Sequence, residues 1–348
     1  MDIERPNELL DYLRSHGHVL PGQIITSRLL EGGVSNRTVL VERVSADGKA
    51  LDAWVLKQAL ERLRVAIEWH SSPLRIHREA AGMRALNQML PRDSVPTLVF
   101  EDDEHHLLAM SAVSRPHTNW RDDLLAGHVE QNLAHQYGTL LGNIHAISHA
   151  RKDPYATIFA DRSFFESLRL EPYYRYTAVQ CPQVSEIINR LCTDTLNHPL
   201  ALVHGDFSPK NLLVKNGSLI LLDHEVIHWG DPAFDVGFSL CHLLSKALHL
   251  PVHRADFMTA AQNSWQAYRK VFRNTLDNHY EDRCQRHLLA CLLARVDGRS
   301  PLSYLSQSQR DHQRKAAVFF LKKYPIGMSA LLTAYSAMLE QGAHAINH

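Results

Sequence analysis

The chain has 348 residues, and its 37 Lys+Arg balance 37 Asp+Glu to a net charge of zero, so no overall field draws it to nucleic acid or an anionic membrane. Its length exceeds that at which a single core stops growing, and two lobes are expected. Five cysteines, Cys181, Cys192, Cys241, Cys284 and Cys291, form no C-x-x-C pair and leave one over from any full pairing, which suits reduced thiols in the cytoplasm. The start Met1-Asp2-Ile3-Glu4-Arg5-Pro6 is too acidic and polar for a secretory signal peptide. The most apolar run, Phe234 to Leu250, is interrupted by Ser239, His242, Ser245, Lys246 and His249 and reads as a buried helix, not a membrane span. Histidine is abundant at 23 residues, but without an H-E-x-x-H pattern no dedicated transition-metal site is expected.

Residues 7 to 16 carry apolar side chains at helical spacing with Gly17 as a stop, an amphipathic helix expected to cover the first lobe. Strand-like runs at Ile24-Ile25 and Thr38 to Val41 flank a loop of small residues that includes Gly32, Gly33 and Ser35. A third strand, Leu51 to Lys57, places Lys57 after the apolar pair Val55-Leu56, and Pro73 to Leu86 has helical periodicity with Glu79 inside it. Val95 to Phe100 and His106 to Met110 read as two further strands joined by the acidic turn Glu101 to Glu104. From Pro116 onward the pattern turns helical, with a long helix over 128 to 149 and an aromatic, arginine-rich segment over 161 to 178.

The densest chemistry lies between 201 and 235. An apolar run ends at His204-Gly205-Asp206, and Asn211 follows five residues later. Asn216-Gly217 then marks a tight hairpin whose second strand ends at Asp223-His224-Glu225. A carboxylate, an amide and a second carboxylate brought together in this way suit phosphoryl transfer, which needs a residue orienting the hydroxyl and oxygen ligands for a metal on the phosphates. Each aspartate taken alone would read as a turn cap.

The pattern His204-Gly205-Asp206-Phe207-Ser208-Pro209-Lys210-Asn211 followed by Asp223-His224-Glu225 resembles the catalytic segment of the aminoglycoside phosphotransferase and choline kinase superfamily. The resemblance implies an α+β, bilobal protein-kinase-like fold: a nucleotide-binding lobe over 1–113 with an antiparallel sheet and one key helix, a hinge near 111 to 114, and a mostly helical catalytic and acceptor-binding lobe over 114–348. It makes Asp206 the catalytic aspartate, Asn211 and Asp223 ligands of Mg²⁺, and Glu225 a further metal-holding group. Lys57, braced by Glu79, would grip the phosphates of ATP; Glu61 and Glu68 are rival partners for it. The Gly32-Gly33-Ser35 loop would cover the phosphates, although an ordinary hairpin turn fits the same residues, and backbone groups of Ser111 and Val113 would meet adenine. Asp231 before Pro232 is a natural helix cap, and by resemblance Asp235 supports the catalytic-loop backbone.

For the acceptor, Arg169, Tyr173, Trp229, Arg295 and Asp297 are candidates, against aromatic helix packing for Tyr173 and a salt-bridged helix end for Arg295 and Asp297. Residues 253 to 348 hold thirteen Lys+Arg against seven Asp+Glu, a poor match for a polycationic aminoglycoside and a better one for a neutral or anionic, sugar-like or hydroxylated small molecule. The expected partner is thus a small-molecule acceptor, with no nucleic acid and no membrane, and the oligomeric state is open. Two rivals are a protein kinase, which lacks support because H-G-D and D-H-E replace H-R-D and D-F-G, and a catalytically silent nucleotide binder. Lys210 and His224 depart from the family pattern without removing a functional group.

Overall fold

The computed structural model describes residues 1–30, 33, 35–64, 69–273 and 279–344, and the chain divides into two compact units. The first comprises Met1–His117 together with Leu222–Glu225. Its helix α1 (Pro6–Ser15) precedes strands β1 (Ile24–Leu29), β2 (Asn36–Val44) and β3 (Ala50–Ala59), then helix α2 (Arg75–Met89) and strands β4 (Leu98–Asp102) and β5 (Leu107–Ser111). The five strands form one antiparallel sheet in the order β1-β2-β3-β5-β4.

Alternation along β2 and β3 turns Val39, Val41, Trp54 and Leu56 inward, where Leu9, Tyr12 and Leu13 of α1 meet them, so the predicted amphipathic helix does pack on the sheet. Each such fully buried leucine contributes roughly 1.5–3 kcal/mol.

The second unit comprises Thr118–Leu221 and Val226–His348. It opens with the short strand β6 (Thr118–Asn119) and helices α3 (Trp120–Leu125), α4 (Gln131–Ala150) and α5 (Lys152–Ile158). The aromatic segment follows as α6 (Ser163–Phe165), a π-helical stretch Glu166–Arg175 and α7 (Tyr176–Gln180), and then comes α8 (Ser185–Asn197). Pro172 inside the π-helical stretch has no N–H to donate, which favours the wider turn over a regular α-helix. Strand β7 (Ala201–Val203), hairpin β8 (Leu212–Lys215) and β9 (Ser218–Leu221), and β10 (His228–Gly230) carry the motif region; β7 pairs with β10, and β6 adds to the hairpin. Asn216 and Gly217 both have positive φ, 52° and 73°, the two-residue turn their sequence foretells.

Helices α9 (Ala233–His249), α10 (Arg254–Val271), α11 (Tyr280–Asp297), α12 (Gln307–Lys322) and α13 (Met328–His344) complete the unit. Every residue of α9 from Ala233 to Leu248 is buried, which explains its apolar run, and α10 and α11 pack against it. Among the described residues no helix is long and apolar enough to cross a membrane.

Within this core His287 of α11 sits fully buried between the Tyr174 hydroxyl at 2.7 Å and Thr195 Oγ1 at 3.3 Å. Burial, and then the nearby Arg283 and Arg286, push its pKa from an ordinary 6.5 down to about 3. The unfolded chain therefore takes up a proton below pH 6.5 that the folded chain refuses until about pH 3, and stability is lost as pH falls through that window. Replacing His287 with glutamine is expected to flatten the acid limb of the stability curve by up to one proton, about 1.4 kcal/mol per pH unit. Urea unfolding of both proteins from pH 7 to 4 checks this; an unchanged slope would contradict it.

Candidate active site

In the first unit the lysine of β3 and the glutamate of α2 meet. Lys57 Nζ lies 2.6 Å from Glu79 Oε1 and 2.9 Å from Asp223 Oδ1, with the Glu79 side chain wholly buried. Of the rival partners, Glu68 lies outside the described residues and Glu61 makes no ion pair with this lysine among them. Burial alone would push the Lys57 ammonium down, but the carboxylates of Asp223, Glu79 and Glu225 outweigh it and hold its pKa well above the usual lysine range. Burial pushes the Glu79 carboxyl up, Lys57 pulls it back, and Asp223 adds to the rise. With Glu225 paired to Arg75, three carboxylates here face two cations, which leaves one negative charge in surplus.

Asp223 has a positive φ of 67°, an unusual backbone conformation for a non-glycine residue that aims its carboxylate at Lys57. Two residues on, Glu225 Oε2 accepts from Arg75 Nε at 3.1 Å and from Asn36 Nδ2 at 3.1 Å. Arg75 is completely buried and also donates to the carbonyls of Ser35, Leu60, Ser71 and Ser72. It ties the end of the small-residue loop, the end of β3 and the start of α2 to the D-H-E segment. Of that loop, Gly32 lies outside the described residues; a Cβ on Gly33 would stand 3.4 Å from the Asn36 carbonyl, and the Ser35 hydroxyl accepts from Asn36 Nδ2 at 3.2 Å.

At the end of β5 the Ala112 amide donates to the Ala53 carbonyl, which makes Ser111 and Trp54 a non-hydrogen-bonded pair. The Ser111 amide donates to Thr97 instead, leaving its carbonyl as the group it can offer a base, and Val113 follows half-buried.

In the second unit the loop after β7 is held from α9. Asp235 accepts the His204 amide at 2.6 Å on one oxygen and the Gly205 amide at 2.8 Å on the other, the supporting role expected of it. His145 Nε2 lies 3.2 Å from the same carboxylate, with its Nδ1 2.9 Å from the Tyr268 hydroxyl. Burial would raise the Asp235 pKa, but the hydrogen bond and charge of His145, with the backbone donors, hold it below the usual carboxylate range. Gly205 has a φ of +78°, and a Cβ there would meet Val226 at 2.9 Å, so neither the turn nor the space admits a side chain. Helix α9 begins one residue later than expected, at Ala233, whose amide Asp231 accepts at 3.0 Å while its other oxygen holds Arg283 at 2.8 Å.

Asp206 is almost buried. Its Oδ2 accepts Asn211 Nδ2 at 2.8 Å, Lys210 Nζ at 2.8 Å and Arg169 Nη2 at 3.0 Å. The Asn211 side-chain amide also donates to the Asp206 carbonyl at 2.9 Å, so both its hydrogens are used and its orientation is fixed. Asn211 in the second unit and Asp223 in the first each carry a hard oxygen, the donor type that magnesium-like cations take. Among the described residues no group of three or more His, Cys, Asp or Glu stands together as a candidate metal cage.

The acceptor candidates separate. Arg169, from the π-helical stretch, donates to the Gly205 carbonyl at 2.6 Å and stands against Asp206. The Tyr173 hydroxyl accepts from Arg295 Nη1 at 2.7 Å. Trp229 is a buried residue of β10 opposite Leu202. Asp297 instead pairs with Arg314 at 2.6 Å and accepts the Cys181 thiol, the salt-bridged helix end that its sequence also allowed. Arg75, Asn36 and the Lys210–Asp206 pair escaped the sequence reading; only an arginine early in α2 and the lysine of the H-G-D loop marked them.

A family model described as phosphotransferase enzyme family matches residues 26–271, the larger part of the chain. The chain belongs to the phosphotransferase enzyme family. It is therefore a small-molecule kinase, with a nucleotide triphosphate and a divalent metal as the family's working partners. Among similar proteins is the methylthioribose kinase of Pectobacterium carotovorum subsp. carotovorum (strain PC1), 25% identical over 311 residues that span 79% of this chain and 76% of that one. That of Yersinia pestis (strain Pestoides F) is 25% identical over 302 residues, 76% and 72% of the two chains. Among solved structures, an amicoumacin kinase in complex with AMP-PNP, Ca²⁺ and Ami aligns with a TM-score of 0.56 at 15% identity, covering 95% of this chain and all of that one. The choline kinase of Cryptosporidium parvum Iowa II gives a TM-score of 0.52 at 9% identity over 98% and 96%. These two likenesses establish the bilobal kinase-like fold.

Asp235→Asn places an NH₂ group against one of the two amides that the carboxylate now accepts. It is expected to cost about 2–3 kcal/mol, because a charge-assisted bond is lost and a buried N–H is left opposed. Urea unfolding measures this; a change below about 0.5 kcal/mol would show that α9 does not hold the loop.

Proposed function

We propose that this kinase transfers the γ-phosphoryl group of ATP, with Mg²⁺, to a hydroxyl of a sugar-like or otherwise hydroxylated small metabolite that is neutral or anionic. The observation that carries the reading is the loop at Asp206, a nearly buried carboxylate fixed by Asn211, Lys210 and Arg169 on a backbone clamped by Asp235. Asp206 accepts a hydrogen bond from the acceptor hydroxyl and takes its proton as the phosphoryl group moves across. Lys57, fixed by Glu79, binds phosphate oxygens. Asn211 and Asp223 hold the Mg²⁺, which when bound neutralises charge on the phosphates; Glu225, engaged by Arg75 and Asn36, fixes the D-H-E segment beside it. The Gly32-Gly33-Ser35 loop covers the phosphates, and the Ser111 carbonyl and Val113 amide receive adenine. Because this transition state spreads negative charge over oxygens, positioning and charge neutralisation supply most of the rate.

Two features support the acceptor class. Relatives named methylthioribose kinase favour a sugar-like acceptor, and the excess of basic over acidic residues in 253–348 disfavours a polycationic antibiotic. Five buried free cysteines favour work in a reducing cytoplasm, where ATP is available.

The test is ADP formation with Mg²⁺ and ATP across sugars, methylthioribose, homoserine, choline and aminoglycosides. Acceptor-dependent ADP from a hydroxylated, non-cationic member is expected, and Asp206→Ala is expected to lower kcat about 10²–10⁴-fold. Faster turnover of aminoglycosides would overturn the acceptor class. ATP binding without turnover of any acceptor would favour a silent nucleotide binder.

A further inference from the structure

Asp235, Ser239, His242 and Lys246 recur along α9 at spacings of four, three and four, which puts them on one face of an otherwise apolar helix. Asp235 and Ser239 are satisfied within the protein, the first by the loop amides and the second by its bond to the Val236 carbonyl. The other two are not. Lys246 is 1% exposed, yet among the described residues its ammonium has a 3.3 Å bond to the His242 carbonyl of its own helix, the face of Tyr304 at 5.4 Å, and no carboxylate. His242 is 5% exposed, lies edge-on to Phe238 with centroids 5.0 Å apart, and its Nε2 has no hydrogen-bond partner among the described residues.

Arg295 of α11 connects to them through aromatic rings, Tyr173 lying 5.8 Å from Phe238 and Phe238 against His242. The Arg295 Nη1 is used by the Tyr173 hydroxyl and by Ser300, but its Nε is buried without a partner among the described residues. Its guanidinium lies 5.5 Å from the centre of the Tyr173 ring, and that of Arg169 lies 5.7 Å from the same ring. Arg169 in turn is 5.9 Å from the Phe238 ring and 3.0 Å from Asp206 Oδ2. Tyr173 and Phe238 thus link the cationic groups to the aspartate proposed to receive the acceptor hydroxyl.

The charges do not balance. Asp206 answers Arg169 and Lys210, whereas among the described residues no Asp or Glu is in ion-pair distance of Lys246 or Arg295. Burial lowers the Lys246 pKa to about 7, with Cys241 opposing it and Arg295 adding a smaller lowering; burial, Arg295 and Lys246 depress that of His242. Buried cations without a counter-charge are costly, and folds keep them where an anion is to be received.

We propose that Lys246, Arg295 and His242 form a subsite for an anionic group on the acceptor, a carboxylate or a phosphate ester, so that the substrate is a hydroxylated anion and not a neutral sugar. The proposal rests on the kinase reading above and narrows its acceptor to one charge class. Arg295 offers planar N–H donors and Lys246 a compact charge, a combination suited to either oxyanion.

The experiment uses acceptors matched except for the anionic group: glycerol, glycerate and glycerol 3-phosphate, and ribose, ribonate and ribose 5-phosphate. ADP formation is measured on the wild-type chain and on Lys246→Met, alongside thermal shifts with each acceptor and with inorganic phosphate. An anionic member is expected to exceed its neutral partner at least about tenfold in kcat/KM, and the ratio is expected to collapse toward one in Lys246→Met through a rise in acceptor KM. The carboxylate and phosphate arms then tell which oxyanion the site takes. Lys246→Met is also expected to melt higher than wild type without ligand, since a buried unpaired ammonium is replaced by an apolar chain of similar length; a merely structural lysine would give the reverse. Equal or better use of the neutral members overturns the subsite and leaves the kinase reading standing. If no acceptor is phosphorylated, phosphate stabilisation that is lost in Lys246→Met upholds the subsite while the kinase reading fails, and no stabilisation by any anion overturns it.

Discussion

The buried contact between Lys57 and Glu79 is the constraint from which the first unit is organised. An ammonium and a carboxylate 2.6 Å apart, one nearly and the other fully out of water, cannot be separated without leaving an uncompensated buried charge, a loss of about 3–5 kcal/mol. That fixes β3 against α2. It also fixes Asp223, which reaches the same ammonium from a strained backbone, and through Arg75 it fixes Glu225 and Ser35. So many buried charges hold these groups in one geometry, the one proposed above to meet phosphate and metal, where an apolar core would define none.

The second unit solves a similar problem differently. Its candidate catalytic loop is short and glycine-containing, and no strand ladder holds it. Asp235 takes the place of a ladder, receiving two loop amides from a helix that is buried along almost its whole length. Because α9 is fixed by α10 and α11 packing against it, the position of Asp206 is inherited from helix packing. His145 and Tyr268 extend the support outward, so Asp206 depends on residues well removed from it in sequence.

Much of this was legible in the residues because the signals were local or fell at fixed intervals. Apolar alternation gave the strands and Asn216-Gly217 gave the hairpin; the Lys57–Glu79 pair followed from the family resemblance, since the residues alone left Glu61 and Glu68 as rivals. Asp235 was marked by its place at the start of α9. What stayed hidden were contacts whose partners are remote and whose residue types are unremarkable on the surface: Arg75 with Glu225, 150 positions away, and Lys210 with Asp206. Asp297 shows the converse, since its segment allowed both an acceptor-facing and a salt-bridged role and only the position of Arg314 distinguishes them. The polar residues of α9 were visible as interruptions of an apolar run. Their common face becomes meaningful only once that helix is known to be buried on all sides.

Under the proposed function, nucleotide binding and catalysis are carried by different residues, Lys57 with Glu79 for the first and Asp206 for the second. Calorimetric titration of Mg²⁺ and a non-hydrolysable ATP analogue into wild type, Lys57→Met and Asp206→Ala tests it directly. The account predicts affinity weakened at least about tenfold in Lys57→Met, the loss of one charged contact, and near-wild-type affinity in Asp206→Ala. Unchanged binding in Lys57→Met, or an equal loss in Asp206→Ala, would contradict it.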